Sequence, residues 1–235
     1  MTNIDSILVI IPARGGSKRL PGKNIMPLVG KPLIFHTLDV AINIFPIENI
    51  CVSTEDQKII NLVESYGLKV PFVRPKELAT DIATSRDVII HAIDFYKNKL
   101  NRKFSTICLL QPTSPFRSEG QIFKILKQWD ETLDMIVSVK KVQQNSNNLL
   151  FEESKSGYLN ILKNRREKNN SIEVYAFNGA IYLINIKSIM RETILSFEKI
   201  KKFLMDEYSS IDIDTKQEFE QCERIFNHKQ DKERL

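Results

Sequence analysis

The chain has 235 residues, a net charge of +5 and 42% hydrophobic residues, enough for one substantial core in a single domain spanning 1–235. No apolar run exceeds five residues, against roughly 20 for a membrane helix and about 7 to 15 for a secretory leader, so neither a membrane span nor secretion is expected. Cys51, Cys108 and Cys222 are odd in number and far apart, which argues against a disulfide framework or a CxxC site and points to a reduced, cytoplasmic protein.

Ile7–Ile11 is β-branched and bounded by Asp5 and Pro12, the pattern of a buried strand in a parallel sheet. A Gly/Pro loop, Ala13–Asn24, follows, then helical spacing through Leu33, Ile34, Leu38, Ala41 and Ile42. The alternation continues with a strand at about Asn49–Ser53, a helix Asp56–Tyr66 stopped by Gly67, and a short strand Lys69–Val73. Next come a helix from Ser85 to about Tyr96, a strand Phe104–Leu110, a helix Glu119–Thr132 and a strand Met135–Val142. Such alternation predicts a doubly wound α/β fold with a mainly parallel sheet. Gln143–Asn170 is polar, yet it carries Leu149, Leu150, Phe151, Tyr158 and Ile161. It reads as an excursion that packs on a second copy, because a structureless loop of this length is unusual. Ala180–Ile184 restores a strand and Lys187–Met190 a helical turn. Ile211–Ile213 is extended, and a final amphipathic helix carries Phe219, Cys222, Ile225 and Phe226 before a frayed charged tail from Asn227.

The cations Arg14, Lys18, Arg19 and Lys23 lie within ten residues in the loop after the first strand. At that end of an open α/β sheet a glycine-rich turn lets backbone N–H groups approach an anion, and four cations suit a triphosphate. The loop is not a Walker A motif: Gly16 to Gly22 is one residue too long and Lys23 is followed by Asn24, not Ser or Thr. It also lacks GxGxxG, so a dinucleotide enzyme is unsupported. In Ser209–Thr215 the extended backbone places Asp212 and Asp214 on one face, two carboxylates that need a cation between them; with phosphate nearby, Mg²⁺ suits them. Gln111, after another apolar strand and within a proline-stiffened loop, can face a sugar. His36, His91 and His228 show no zinc or triad spacing and read as structural.

In chain order, IPARGGSKRLPGKN, STE, RPKELATD, LLQPTSPFR, NGAIY and SIDIDT resemble the CMP-sialic acid synthetases, or acylneuraminate cytidylyltransferases, from about Ile7 to Phe219. The GGSK element is closer to the sialic-acid branch than to the eight-carbon Kdo branch. The resemblance implies a Rossmann-like nucleotidyltransferase fold that forms a homodimer through an arm at 143–175, with no nucleic-acid or membrane partner. It implies transfer of CMP from CTP to the anomeric hydroxyl of a nine-carbon 2-keto-3-deoxy sugar acid, with release of pyrophosphate and Mg²⁺ as cofactor. By the same resemblance Arg14, Lys18 and Lys23 hold the triphosphate, Asn24 the ribose, Arg74 and Ser85 the cytidine side, and the Pro12–Ala13 backbone the base. Gln111 and Asn178 face substrate, Asp212 and Asp214 hold the metal, and Lys23, Arg14 and Asp214 carry catalysis, with Asp214 taking the sugar hydroxyl's proton. Alternatives are a different sugar acid such as Kdo, a different base, or a nucleotide binder without turnover.

The sequence departs from the sialic-acid pattern at Asn164–Asn170 and at Tyr175-Ala176-Phe177-Asn178, where an expected arginine near Ala176 is missing. Arginine is the natural bidentate partner of a carboxylate. Its loss leaves a more apolar relative, such as legionaminate or pseudaminate, as an alternative to N-acetylneuraminate itself.

Overall fold

The computed structural model describes residues 2–143, 149–162 and 173–233. Its main sheet runs in the order β10-β6-β9-β5-β1-β4, formed by β1 (Ile7–Pro12), β4 (Ile50–Ser53), β5 (Thr106–Leu109), β6 (Met135–Val142), β9 (Val174–Asn185) and β10 (Ile200–Leu204). β1 is parallel to β4 and β5, and β10 is parallel to β6, whereas β9 is antiparallel to both of its neighbours. Between β6 and the reversed β9 the described residues form a hairpin, β7 (Phe151–Glu153) and β8 (Leu159–Ile161), and an antiparallel strand needs no crossover helix. A two-stranded ladder, β2 (Pro27–Leu28) with β3 (Lys31–Pro32), closes the loop after β1.

The period-2 alternation of β1 divides the core. Ile7, Val9 and Ile11 pack with α1 (Leu33–Ile42), α2 (Gln57–Ser65) and α4 (Glu119–Gln128) on one face of the sheet; Leu8 and Ile10 pack with α3 (Ser85–Lys99) and α5 (Ile186–Arg191) on the other. Helices on both faces make the fold doubly wound, as the sequence predicts. A third, smaller core, with Leu20, Leu28, Leu33, Phe116, Ile213, Phe219 and Cys222, seats α6 (Lys216–Glu233) against the loop after β1. All three cysteines are free and buried.

Several expectations are corrected. Lys69–Val73 is not a strand: only Val73 bridges, to Thr54. The fourth helix stops at Gln128, where Trp129 leaves the helical region. The strand expected at Ala180–Ile184 begins at Val174, inside the segment assigned to the arm. β10 was not anticipated, because Lys201 and Lys202 break its apolar pattern, as charges on an edge strand do. Ile211–Asp214 carries no ladder, and helix α6 continues through the tail to Glu233. The excursion is also partly corrected. Leu150, Phe151 and Leu159 are buried in the chain's own core, Phe151 stacks on Phe177 at 4.2 Å, and β7 pairs with β9. Tyr158 and Ile161 pack partly buried against the same cores, while Leu149 is exposed. The rest of the arm, including Arg165 and Arg166, lies outside the described residues.

Candidate active site

Two clefts open beside the carboxyl ends of β1 and β5 and share one wall, made of Gln111, Asp212 and Asp214. The first, of about 350 Å³, is lined among others by Arg14, Lys23, Asn24, Arg74, Thr84 and Ser85. The second, of about 680 Å³, is lined by Arg19, Lys140, Phe177, Asn178, Tyr182 and Ile211, with acids from the same segments.

The first cleft is held together by ion pairs. Asp81 accepts from Arg14 at 2.8 Å and from Lys18 at 2.5 Å; these two cations hold its carboxyl below the ordinary range, Lys18 contributing most. Lys18 itself is largely exposed at the rim and does not line the cleft. Glu55 binds both sides: Oε1 accepts the Gly15 N–H at 2.8 Å, and Oε2 accepts from the buried Arg74 guanidinium at 2.7 Å. Gly15 has to be glycine, since a Cβ there would lie 2.2 Å from Asp56 Oδ2. Asn24 donates to the Arg14 carbonyl at 3.0 Å and leaves its own buried Oδ1 without a partner. Thr84, not Ser85, caps α3, through a capping box with Asp87, so Ser85 lines the cleft without serving as the cap.

Lys23 reaches across to the shared wall, donating to Asp214 Oδ1 at 2.7 Å and to the Ile213 carbonyl at 3.0 Å, and Arg19 bonds the same carboxylate. Burial pushes Asp214 up, but the bonded Lys23 and the nearby Arg19 outweigh it and leave the group below the ordinary range. Asp212 is the opposite case. Burial raises it and the Asp214 charge adds to the push, against a lowering from Thr113, while Oδ1 is buried without a partner. Thr215 and Glu218 cap α6 reciprocally, so neither aspartate is spent as its cap.

Of three residues given no role by the sequence reading, two set this wall and one, Glu55, clamps Gly15 to Arg74 across the first cleft. Arg117 is buried and donates to Gln111 O (2.6 Å), Ala180 O (2.8 Å) and Thr37 Oγ1 (3.0 Å); burial lowers its pKa to about 10, so it stays charged. The Thr113 carbonyl accepts the Ile213 N–H at 2.8 Å and pins the aspartate segment to the Gln111 loop. Glu55 is the third. Arg117 and Glu55 stand at the ends of the PTSPFR and STE runs, an available signal, but their partners are distant in sequence. Gly179, at φ +80°, makes room for Gln111, whose Oε1 would meet a Cβ at 2.8 Å. Asn178 lines the second cleft but is buried, its Oδ1 accepting from Ser138 and from the Ala180 N–H and its Nδ2 donating to Ser210. It builds the wall and has little left to offer a substrate. Ala176 is buried opposite Lys140 in the β6–β9 ladder and does not line the cleft. The histidines line neither cleft.

A doubly wound sheet with a cation-lined cleft at its strand ends, joined to a second cleft through two carboxylates, is the architecture of a nucleotidyltransferase. The chain belongs to the cytidylyltransferase family, whose model matches residues 8–232. It is 35% identical over 230 residues to the CMP-N,N'-diacetyllegionaminic acid synthase of Legionella pneumophila, covering 96% of this chain and 98% of that one. It is 34% identical over 218 residues to the N-acylneuraminate cytidylyltransferase of Escherichia coli, covering 91% of this chain and 50% of the relative. Among solved structures, a CMP:2-keto-3-deoxy-manno-octonic acid synthetase complexed with CTP superposes with a TM-score of 0.72 at 17% identity, over 95% of this chain and 99% of that one. No helix among the described residues is long and apolar enough to cross a membrane.

Proposed function

We propose that the chain transfers CMP from CTP to the anomeric hydroxyl of a nine-carbon 2-keto-3-deoxy sugar acid, with CTP in the first cleft and the acid in the second. The observation that carries this reading is the shared wall: Gln111, Asp212 and Asp214 border both clefts, so an α-phosphorus and a sugar hydroxyl can meet there. A diacylamino acid of the legionaminate type is favoured over N-acetylneuraminate itself. The relative named for the former matches this chain over nearly its whole length, and Phe177, Ile211 and Val142 give the second cleft an apolar side suited to acyl groups.

In this reading the anomeric oxygen forms a bond to the α-phosphorus, the bond to the β-phosphate breaks and pyrophosphate leaves, so negative charge grows on the phosphorus oxygens and the leaving group. Lys23 and Arg14, at 14% and 38% exposure, supply positive charge there, while Lys18 meets the outer phosphates from the rim. Mg²⁺ fits the wall. Asp212 keeps a buried Oδ1 without a hydrogen-bond partner, although Thr113 and the Lys23 charge act on its carboxylate, and Asp214 adds a second hard oxygen donor. Asp212 and Asp214 would hold the ion, which when bound would draw charge from the phosphate oxygens. The hydroxyl proton is assigned to Asp212 on geometry: its Oδ1 at the wall has no hydrogen-bond partner, whereas Asp214 is held by Lys23 and Arg19. In the expectation drawn from the family resemblance, Asp214 takes the proton instead.

A cytoplasmic location accords with the three buried free thiols. A homodimer through 143–175 keeps support from the exposed Leu149, and sedimentation at micromolar concentration tests it. The function is tested by pyrophosphate release with Mg²⁺ across legionaminate, pseudaminate, N-acetylneuraminate and Kdo, each with CTP and with UTP. CTP-dependent turnover of one nine-carbon acid above the others is the expected result. Equal use of UTP, or turnover of Kdo alone, overturns the reading.

A further inference from the structure

We infer that Lys140 is the counter-ion of the sugar acid's carboxylate, an assignment that rests on the function proposed above. The second cleft carries four carboxylates, Glu207, Asp212, Asp214 and Glu218, and three cations, Arg19, Lys140 and Lys141. Arg19 is engaged by Asp214, and Lys141 pairs with Glu173 at 2.5 Å. Glu218 accepts three hydrogen bonds from Asp214 N, Thr215 N and Thr215 Oγ1. Lys140 is half-buried and has no hydrogen-bond or ion-pair partner among the described residues. An acid entering a cleft whose inner end holds two aspartates is repelled unless a cation offsets them, and Lys140 is the cation still uncommitted.

Its place in the sheet fits the task. Val137 and Val139 both pack in the core under α3, so Ser138 and Lys140 share the opposite face of β6, beside the register shift between Val137 and Val139. Ser138 bonds Asn178, the residue before Gly179, and at Gly179 the Gln111 and Asp212 side chains converge. The register partner of Lys140 is Ala176, whose methyl leaves the lysine stem room to bend. Lys140, Gln111, Gly179 and Asp212 line the same cleft, and the four-carbon stem of the lysine is flexible. In a 2-keto acid the carboxylate is bonded to the anomeric carbon, so a cation that holds it there also presents the adjacent hydroxyl to Asp212 and the α-phosphorus.

The test is steady-state kinetics of the full chain and of Lys140→Met and Lys140→Arg, with CTP and the accepted acid, and with the C1 amide of that acid. Lys140→Met should raise KM for the acid about tenfold or more, the loss of one charge-assisted bond, and erase the wild type's preference for acid over amide. Lys140→Arg should retain that preference, and KM for CTP should stay within about twofold in both variants, which also reports that they fold. An unchanged acid KM in Lys140→Met, or an acid preference that survives there, overturns the assignment alone. A wild-type chain that turns over no nine-carbon acid with CTP overturns the proposed function and this assignment with it.

Discussion

The two clefts meet at one wall but treat their charges differently. In the first cleft, proposed above for CTP, the main cations already have acidic partners from the same chain: Arg14 and Lys18 have Asp81, Arg74 has Glu55, and Lys23 has Asp214. In the second cleft, among the described residues, Lys140 has no ion-pair partner and Asp212 keeps a buried Oδ1 without a hydrogen bond. A triphosphate, with its several charges, can displace exposed carboxylates from their cations. A sugar acid has a single charge and is better served by a cation that no protein carboxylate competes for.

The largest effect expected from breaking this arrangement is at Asp212. Asp212→Asn should lower kcat by about a hundredfold or more while CTP affinity changes little, since the lost group acts in the transition state; equal losses in both would refute the role. The same variant should be more stable at pH 7. The folded-state pKa of Asp212 is raised, so the carboxyl contributes stability when protonated and loses it as pH rises through that value. Asparagine removes this penalty, and thermal unfolding should show the gain shrinking toward pH 4.

Next comes the clamp of the nucleotide cleft. Glu55→Gln leaves the Arg74 guanidinium buried and unpaired, at a cost of about 3–5 kcal/mol measurable by urea unfolding, and KM for CTP should rise while KM for the acid holds. Asp81→Asn should act in the other direction. Removing a competitor from two exposed cations tightens CTP roughly two- to fivefold, an effect that fades with added salt. The smallest response is at the thiols: burial raises Cys108 and Cys222 to about 12 and Cys51 further still, so the native protein should resist alkylation at pH 8 and react fully only in denaturant.

Legibility from sequence follows the same division. Arg14, Lys23, Asn24, Arg74 and Ser85 converge as the motifs suggest; Arg14 lies just past the buried strand β1, Lys23 and Ser85 each open a helical turn, and only Arg74 lies after a segment that is no strand. The sugar side is harder to read. Lys140 sits in an ordinary strand pattern, Asn178 is marked as a contact yet spends its amide on Ser138 and Ser210, and Asp214 is engaged by Lys23 and Arg19 from nearly two hundred residues away in sequence.

The sequence by itself determined that strands and helices alternate, that a cation-rich glycine loop follows the first strand, and that two aspartates stand one residue apart. These are local matters of hydrophobic period, turn chemistry and spacing. Only the tertiary structure decided that β9 runs against its neighbours, that the hairpin at Phe151 folds onto its own sheet, and that Asp212 keeps a buried oxygen without a partner while Asp214 is neutralised. Those outcomes depend on which distant groups burial brings together, and on the desolvation and pairing that follow, which spacing along one chain does not encode.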